Sequence, residues 1–378
     1  MFSFYRGTRN MENSRVIDKK AESIKVAIGP LILQKTGYGG VQRHILNILK
    51  YSKYNLKPIT PFLSSYSQYF RFASSLLTTK KVSFLDLYGL FYSKLILPNY
   101  DIVHLHGHPE WPGLYFKPRK KRAQYIHTVH GIYAEEDYPM GWEYRSMLND
   151  RMIKSCKESD VVIAVAQWLR EWLKGEGVDA LYIPNGINVD EFKISNPDAF
   201  RAKFNVSDDF YLFAGRLDEY KRPRLFIELA EKMKDKKFVM VGRDLVPDNV
   251  QLYYGKDLPK NLLCLGELTR EDLINAFSAC RVFVLPSKNE TFGIVFLEAM
   301  ACKKPVVAAN NAGPKEIITN GKDGYLFEPD DIEDLTEKAV NAWDNPELGG
   351  NGYTKVRKKF DWPAVVKGID DVYEKLAQ

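Results

Sequence analysis

Short apolar runs alternate with longer helical patterns along this chain of 378 residues, and the alternation occurs twice. In the first half, five apolar runs have the length and composition of buried strands: 24–29, 102–106, 124–129, 161–165 and 180–183. Helical patterns lie between some of these runs, at 41–50, 146–157 and 167–174. Because strands that are joined through helices lie parallel, the first half predicts an α/β domain with a parallel sheet.

The second half repeats this organisation. Its apolar runs predict six more strands, at 210–215, 238–242, 262–266, 282–286, 305–309 and 325–327. Two doubly wound α/β domains with a central cleft between them are the expected architecture, one over residues 23–184 and the other over 185–360.

Three further segments have patterns of their own. Residues 1–22 are polar and aperiodic, which predicts a loose tail. Residues 195–205 are polar and contain a proline, and we interpret them as a connection. Residues 361–378 have the pattern of a terminal helix that starts at Asp361 and Pro363.

The composition is that of a folded chain. Apolar residues make up 45% and charged residues 27%, which argues against intrinsic disorder. No run approaches the ~20 apolar residues of a membrane span, and the first residues lack a secretory signal, so we expect a cytoplasmic protein. The four cysteines are widely separated, which predicts reduced thiols without a chemical role.

Positive charge is concentrated in the first half. Residues 1–185 carry 26 Lys and Arg against 16 Asp and Glu, and five of these cations lie within 117–122. An anionic partner explains this excess, and a solvated basic surface explains it equally well.

Glycines and cations follow two of the predicted strands. Gly39 and Gly40 lie between the first strand and its helix, where glycine lets a backbone approach an anionic ligand closely. Gly215 and Arg216 end the first strand of the second domain, and Lys221 follows. Guanidinium and ammonium groups at this position suit a diphosphate, although a basic helix start is the alternative.

The segment 286–302 carries the most specific pattern in the chain. A strand ends at Pro286, a polar loop bears Glu290, and a helix is predicted from Gly293, with Glu298 about one and a half turns inside it. Apolar neighbours surround Glu298, so we expect its side chain to face the cleft. The N–H groups at this helix start suit phosphate oxygens, and the two carboxylates suit sugar hydroxyls; these N–H groups belong to Phe292, Gly293, Ile294 and Val295.

All six histidines lie in the first half. His104, His106 and His108 alternate at strand spacing, which raises the alternative of a zinc site, but no carboxylate or cysteine lies at matching ligand spacing. His130 directly follows a predicted strand, where it can hydrogen-bond a substrate hydroxyl or stabilise developing charge.

Together these stretches resemble the retaining glycosyltransferases of the GT-B fold, specifically glycosyltransferase family 4, over nearly the whole chain. The most specific part is Glu290-x7-Glu298 within the pattern PSxxExFGxxxLEAMA, followed by a Pro-Val-Val sequence. The GGV loop, the HG pair, IPNGIN and AGRL occur in the same order. The resemblance implies two Rossmann-like domains, an acceptor domain followed by a nucleotide-sugar domain, with the last helix packing back on the first.

The resemblance also implies a role for each residue. Gly39 and Gly40 resemble the loop that closes on the donor phosphates, and Arg216 and Lys221 resemble the pair that neutralises the leaving diphosphate. Glu298 is similar to the glutamate that holds the ribose. Further residues are similar to those that contact the donor sugar: Glu290, with the N–H groups of Phe292, Gly293 and Ile294, and His130.

The implied activity is transfer of a hexose from a UDP or GDP sugar to a hydroxyl of a glycan or lipid-linked acceptor, with retention of configuration. The family needs no metal ion, so we expect no cofactor. Residues 61–100 are aromatic and basic, which is typical of contact with an anionic membrane at its inner face and equally typical of a buried helix pair.

Other functions remain open at this point. A sugar-nucleotide epimerase or hydrolase shares the two-domain architecture, and a glycoside hydrolase would use Glu290 and Glu298 directly. A nucleic-acid-binding protein would explain the basic half, although we expect no nucleic acid partner because no recognisable motif accompanies the cations.

Overall fold

The computed structural model describes residues 24–29, 40–59, 100–107, 123–135, 142–288 and 290–378. The predicted tail 1–22, the loop glycine Gly39, His108, the basic run 117–122 and the aromatic segment 61–99 lie outside these residues. The contacts divide the chain into two compact units, one formed by 1–129, 143–162 and 366–378 and the other by 130–142 and 163–365.

The first sheet has six strands in the order β2-β1-β3-β4-β5-β6. Its strands are β1 (Val26–Gly29), β2 (Leu56–Pro58), β3 (Ile102–Gly107), β4 (Gln124–Val129), β5 (Val161–Ala164) and β6 (Leu181–Tyr182). The helices of this half are α1 (Gly40–Tyr51), α2 (Trp142–Lys157) and α3 (Gln167–Gly175). β1 pairs in parallel with both β2 and β3, and β3 pairs in parallel with β4, as the alternation of strands and helices predicts.

The second sheet also has six strands, in the order β12-β11-β10-β7-β8-β9. They are β7 (Phe210–Ala214), β8 (Lys237–Val241), β9 (Leu262–Cys264), β10 (Val282–Leu285), β11 (Val306–Ala309) and β12 (Tyr325–Phe327). Its helices are α4 (Pro197–Phe204), α5 (Pro223–Lys232), α6 (Pro247–Tyr254), α7 (Arg270–Ala279), α8 (Ile294–Ala301), α9 (Ala312–Ile317), α10 (Ile332–Asp344) and α11 (Glu347–Lys359). A 3₁₀ helix, Val189–Ile194, precedes them. The strand pairs are parallel, so the predicted fold class of two parallel-sheet α/β domains is confirmed.

The interpretation of residues 195–205 as a connection is wrong. They contain the helix α4, which Asn196 caps by accepting a hydrogen bond from Ala199 N at 3.1 Å. Pro197 occupies the first helical position, where its missing N–H has no intrahelical role, and Asn205 ends the helix in the left-handed conformation. Phe200 buries the apolar face of the helix, so its polar residues lie on the opposite face.

The terminal helix, α12 (Trp362–Leu376), contacts residues of the first sheet and of the end of α1. Asp370 accepts hydrogen bonds from Ser52 Oγ at 2.5 Å and from Lys53 N at 2.9 Å. The Tyr373 hydroxyl lies 2.7 Å from His104 Nδ1 on β3, and the Tyr373 side chain is completely buried. These contacts place the end of the chain in the same compact unit as β1–β4.

Candidate functional site

The predicted site residues of the second half lie at the carboxyl ends of neighbouring strands. Arg216 and Lys221 follow β7, and Glu290 follows β10, which pairs directly with β7. Because the strands are parallel, these loops leave the same edge of the sheet. Lys288 N donates to Tyr220 O at 2.9 Å, which holds the two loops together.

Lys221 and Glu290 form an ion pair between Nζ and Oε1 across these loops. The side chains are 18% and 11% exposed, so the pair is partly withdrawn from water. An ammonium group beside a carboxylate at a strand edge offers one positive and one hydrogen-bond-accepting group to a single ligand. The two motifs, 69 residues apart in the chain, thus meet in one place.

Arg216 lies closer to solvent than Lys221. Its Nη2 contacts Asp218 Oδ2 at 3.0 Å, and its side chain is 61% exposed. Asp218 also accepts a hydrogen bond from Lys221 N at 3.0 Å through Oδ1. Asp218 therefore shapes the turn that carries both predicted cations, a role that the sequence pattern did not reveal.

A close backbone approach joins the ends of β7 and β8. Gly242 has φ of +137°, and a Cβ atom there would lie 1.7 Å from Gly215 O. Gly215 N donates to Val241 O at 3.0 Å, and Gly242 N donates to Gly266 O at 2.7 Å. A side chain at Gly242 is excluded by both conformation and space, so the backbone beside Arg216 is tightly fixed.

The helix α8 begins where the sequence predicts it. Gly293 caps it in the left-handed conformation with φ of +87°, and the preceding Phe292 is buried. Ile294 and Val295 form the first turn and are half-buried. Backbone N–H groups in a first helical turn lack intrahelical acceptors and carry the positive end of the helix dipole, so this turn suits an anionic oxygen.

Glu298 lies inside α8 and is buried, as its apolar neighbours predict. Its Oε1 accepts a hydrogen bond from Arg270 Nη1 at 2.6 Å. Arg270 also donates to Glu191 through Nε at 2.8 Å and Nη2 at 3.2 Å. Burial alone would lower the pKa of Arg270, but the hydrogen bonds to Glu191 and the charge of Glu298 raise it above its usual value. The guanidinium is therefore permanently charged between two carboxylates.

The loop that carries Glu290 is also held from α3. Trp168 Nε1 donates to Thr291 O at 2.7 Å, and Trp168 N donates to Glu316 Oε1 at 2.9 Å. A Cβ atom at Gly131 would also lie close to this loop, 3.3 Å from Thr291 Oγ1. His130 directly precedes this glycine and is half-buried, so the HG pair after β4 lies beside the Glu290 loop.

His104 on β3 and His127 on β4 are buried and have structural contacts, that of His127 being to Ser155 Oγ at 2.9 Å from Nδ1. His104 is completely buried, and its two ring nitrogens lie 2.7 Å from the Tyr373 and Thr128 hydroxyls. Burial lowers the pKa of His104 well below its usual value, and the neighbouring His44 and His127 lower it further. Because both its nitrogens are engaged within the protein, His104 is not available as a zinc ligand.

Four residues at this site were not predicted from the sequence: Asp218, Arg270, Glu191 and Trp168. Thr269 and Asp272 do mark the start of α7, since Thr269 Oγ1 accepts from Asp272 N at 3.1 Å. Nothing in that local pattern selects Arg270 as the partner of Glu298, because the pairing depends on how α7 and α8 pack.

Gly40, the described member of the GG pair, is the first residue of α1.

Two family models match the chain in succession. The model described as Glycosyltransferase Family 4 matches residues 38–191, and the model described as Glycosyl transferases group 1 matches residues 196–359. An uncharacterized glycosyltransferase of Methanocaldococcus jannaschii is 27% identical over 359 residues, which cover 90% of this chain and 95% of that protein.

Solved structures show the same fold. A glycosyltransferase from Rickettsia africae superposes with a TM-score of 0.73 at 21% identity, covering 94% of this chain and 98% of that one. Anabaena HepE in complex with UDP-glucose superposes with a TM-score of 0.69 at 17% identity, covering 93% of this chain and 100% of that one. The chain is therefore a glycosyltransferase of the GT-B fold, in which a family 4 domain is followed by a glycosyl transferases group 1 domain.

Proposed function

We propose that this glycosyltransferase moves a hexose from a UDP or GDP sugar to a hydroxyl of a glycan or lipid-linked acceptor, with retention of configuration and without a metal ion. The observation that carries the proposal is the ion pair between Lys221 and Glu290. This pair supports the proposal because an ammonium group suits the diphosphate and an adjacent carboxylate suits the sugar hydroxyls, and diphosphate and sugar are neighbours in a nucleotide sugar.

Stabilising the leaving diphosphate is the largest demand of this reaction. Breaking the bond between sugar and phosphate leaves negative charge on the diphosphate and positive character on the sugar. Arg216 and Lys221 supply cations for the diphosphate, and the first turn of α8 supplies N–H groups. These groups meet the charge requirement that a metal ion meets in other enzymes, which supports a metal-independent reaction.

The sugar is bound by Glu290, and the ribose by Glu298. Glu290 accepts hydrogen bonds from sugar hydroxyls once the diphosphate engages Lys221, and His130, next to the same loop, contacts the reacting sugar. No side chain is assigned as a covalent nucleophile, so leaving group and acceptor use one face of the sugar. A trapped glycosyl adduct on Glu290 would contradict this assignment.

The acceptor is assigned to the family 4 domain. The positive charge of residues 1–185 suits an acceptor that carries phosphate or lies at an anionic membrane, and favours a lipid-linked glycan at the cytoplasmic face. No helix among the described residues is both long enough and apolar enough to cross a membrane.

The test begins with ligand-induced thermal stabilisation by UDP, GDP and their hexose forms, because a ligand that binds the folded state raises its stability. The stabilising donor is then incubated with and without lipid-linked and free glycan acceptors, and product configuration is read by NMR. Nucleotide release without an acceptor would favour the hydrolase alternative. Turnover should persist in EDTA, and loss of turnover that Mg²⁺ or Mn²⁺ restores would contradict metal independence.

A further inference from the structure

Three charged side chains from three separate elements are connected by hydrogen bonds, and the last of them is the glutamate proposed to bind the ribose. Glu191 belongs to the 3₁₀ helix, Arg270 is the first residue of α7, and Glu298 lies inside α8. All three lie within one compact unit of the molecule. The proposed function assigns a role only to Glu298 and leaves the roles of Glu191 and Arg270 unexplained.

The arrangement fixes the guanidinium from two sides. Nε and Nη2 of Arg270 form a fork on the carboxylate of Glu191, and Nη1 is directed to Glu298. The guanidinium also lies over the Phe192 ring, with its carbon 5.2 Å from the ring centroid. A guanidinium that is held by two hydrogen bonds to one carboxylate and by an aromatic ring has little freedom to rotate. The direction of the N–H group of Nη1 that donates to Glu298 is therefore fixed.

The two carboxylate oxygens of Glu298 have different surroundings. Oε1 accepts from Arg270 at 2.6 Å, whereas no described residue donates a hydrogen bond to Oε2. Glu298 is 8% exposed, and a buried carboxylate with no cation beside it would be costly in its charged form. Arg270 thus gives this buried carboxylate a cationic partner and fixes its orientation through Oε1, while Oε2 accepts no hydrogen bond from the described residues.

We propose that Arg270, held by Glu191, is a positioning residue that directs Glu298 Oε2 to the ribose hydroxyls of the donor. The inference rests on the proposed function, since it takes Glu298 as the ribose ligand. Discrimination between ribonucleotides and 2′-deoxyribonucleotides then depends on a residue that does not touch the nucleotide.

The experiment measures Kd by calorimetry for UDP, GDP and their 2′-deoxy forms in the full-length chain. A hydrogen bond to a charged group changes affinity by about 10-fold or more, so the wild type should prefer the ribo form by at least about that factor. Arg270→Met should lower affinity for the ribo form about 10-fold while changing the deoxy form less than about threefold. Arg270→Lys should restore part of the preference, because it keeps the charge but not the fork.

Two further variants control for folding. Glu191→Gln leaves Arg270 and Glu298 unsubstituted but removes the carboxylate charge and one of the two oxygens that hold the guanidinium, so the preference should fall by about threefold with the fold intact. Lys203→Met removes the ion pair between Lys203 on α4 and Asp272, which lies on α7 with Arg270. Neither residue of this pair hydrogen-bonds Glu298, so the variant should keep the wild-type preference.

Each negative outcome has a distinct meaning. An unchanged ribo preference in Arg270→Met and Glu191→Gln, or an equal loss for both nucleotide forms, would overturn the positioning role. A wild-type preference in Glu298→Gln would remove the ribose assignment itself. Absence of binding by the wild type to all nucleoside diphosphates tested would overturn the proposed function, independently of Arg270.

Discussion

Replacing Lys221 by methionine should separate catalysis from stability at this site. Methionine keeps an unbranched side chain about as long as the lysine stem but removes the charge that pairs with Glu290. In the proposed function the same charge faces the leaving diphosphate. Removing one group that stabilises developing negative charge lowers kcat by about 10²–10³, equivalent to about 2.7–4 kcal/mol of transition-state free energy. Donor turnover, followed as nucleotide release in the presence of acceptor, measures this loss.

The same substitution leaves Glu290 without its cation. Breaking a buried ion pair costs about 3–5 kcal/mol of folding free energy. Because the two side chains retain 18% and 11% exposure, water screens part of this loss, and we expect about 1–3 kcal/mol. The double variant Lys221→Met with Glu290→Gln should regain thermal stability, since no lone carboxylate remains, yet stay inactive.

Lys232→Met provides the matched control. Lys232 on α5 pairs with Glu333, but the two side chains are 38% and 76% exposed, so the loss of this pair should change stability by less than about 0.5 kcal/mol and leave kcat unaltered. If Lys221→Met were destabilised but turned over within about threefold of the wild type, Lys221 would be only a structural partner of Glu290. The diphosphate assignment would then fail.

Four further substitutions test local structure in the second half of the chain. Gly242→Ala should prevent folding into soluble protein, because its Cβ would overlap Gly215 O. Gly350→Ala, in open space within α11, should raise the free energy of unfolding by about 0.5–1 kcal/mol. Equal yields of soluble protein from the two variants would contradict the close approach at Gly242. Asn196→Ala should cost about 0.5–2 kcal/mol in denaturant unfolding by removing the α4 cap, and an unchanged midpoint would refute the capping role. Burial raises the pKa of Glu316, so this side chain holds a proton more tightly in the folded protein than in the unfolded chain, and its contribution to stability is lost as the pH rises above the ordinary pKa of a glutamate. The melting temperature of the wild type relative to Glu316→Gln should therefore fall as the pH is raised from that value, and a rise would contradict the assigned direction.

The strands were predictable because parallel strands are buried on both faces. Every residue of β10 and β11 is buried, and each of these strands is a continuous apolar run in the sequence. β2 was missed because it has only three residues, the second of them an exposed lysine. For α4, the cap Asn196 and the proline at its first position are signals of a helix start, whereas the polar composition of the segment is typical of a loop.

The candidate site was predictable only in part. A local motif places Glu290 and Glu298 relative to α8, because loop and helix are continuous in the chain. Arg270 and Glu191 come from other elements, and their approach to Glu298 depends on how α7 and the 3₁₀ helix pack against α8. Such contacts have no sequence spacing that could reveal them in a single chain.

Glu290 and Glu298 are each paired with a cation, and we expect binding of the nucleotide sugar to affect the two pairs differently. In the proposed function, Lys221 moves to the diphosphate and Glu290 to the sugar, so the donor must separate this ion pair and replace each partner. In the same proposal Arg270 contacts no part of the nucleotide sugar, so it keeps the hydrogen bond that it donates to Glu298. A nucleoside diphosphate alone would take Lys221 and leave Glu290 without a cation, whereas the complete nucleotide sugar satisfies both ends of the separated pair. The proposed function therefore predicts that the transferred sugar contributes to donor affinity through Glu290, and that the protein binds the full donor more tightly than the nucleotide product.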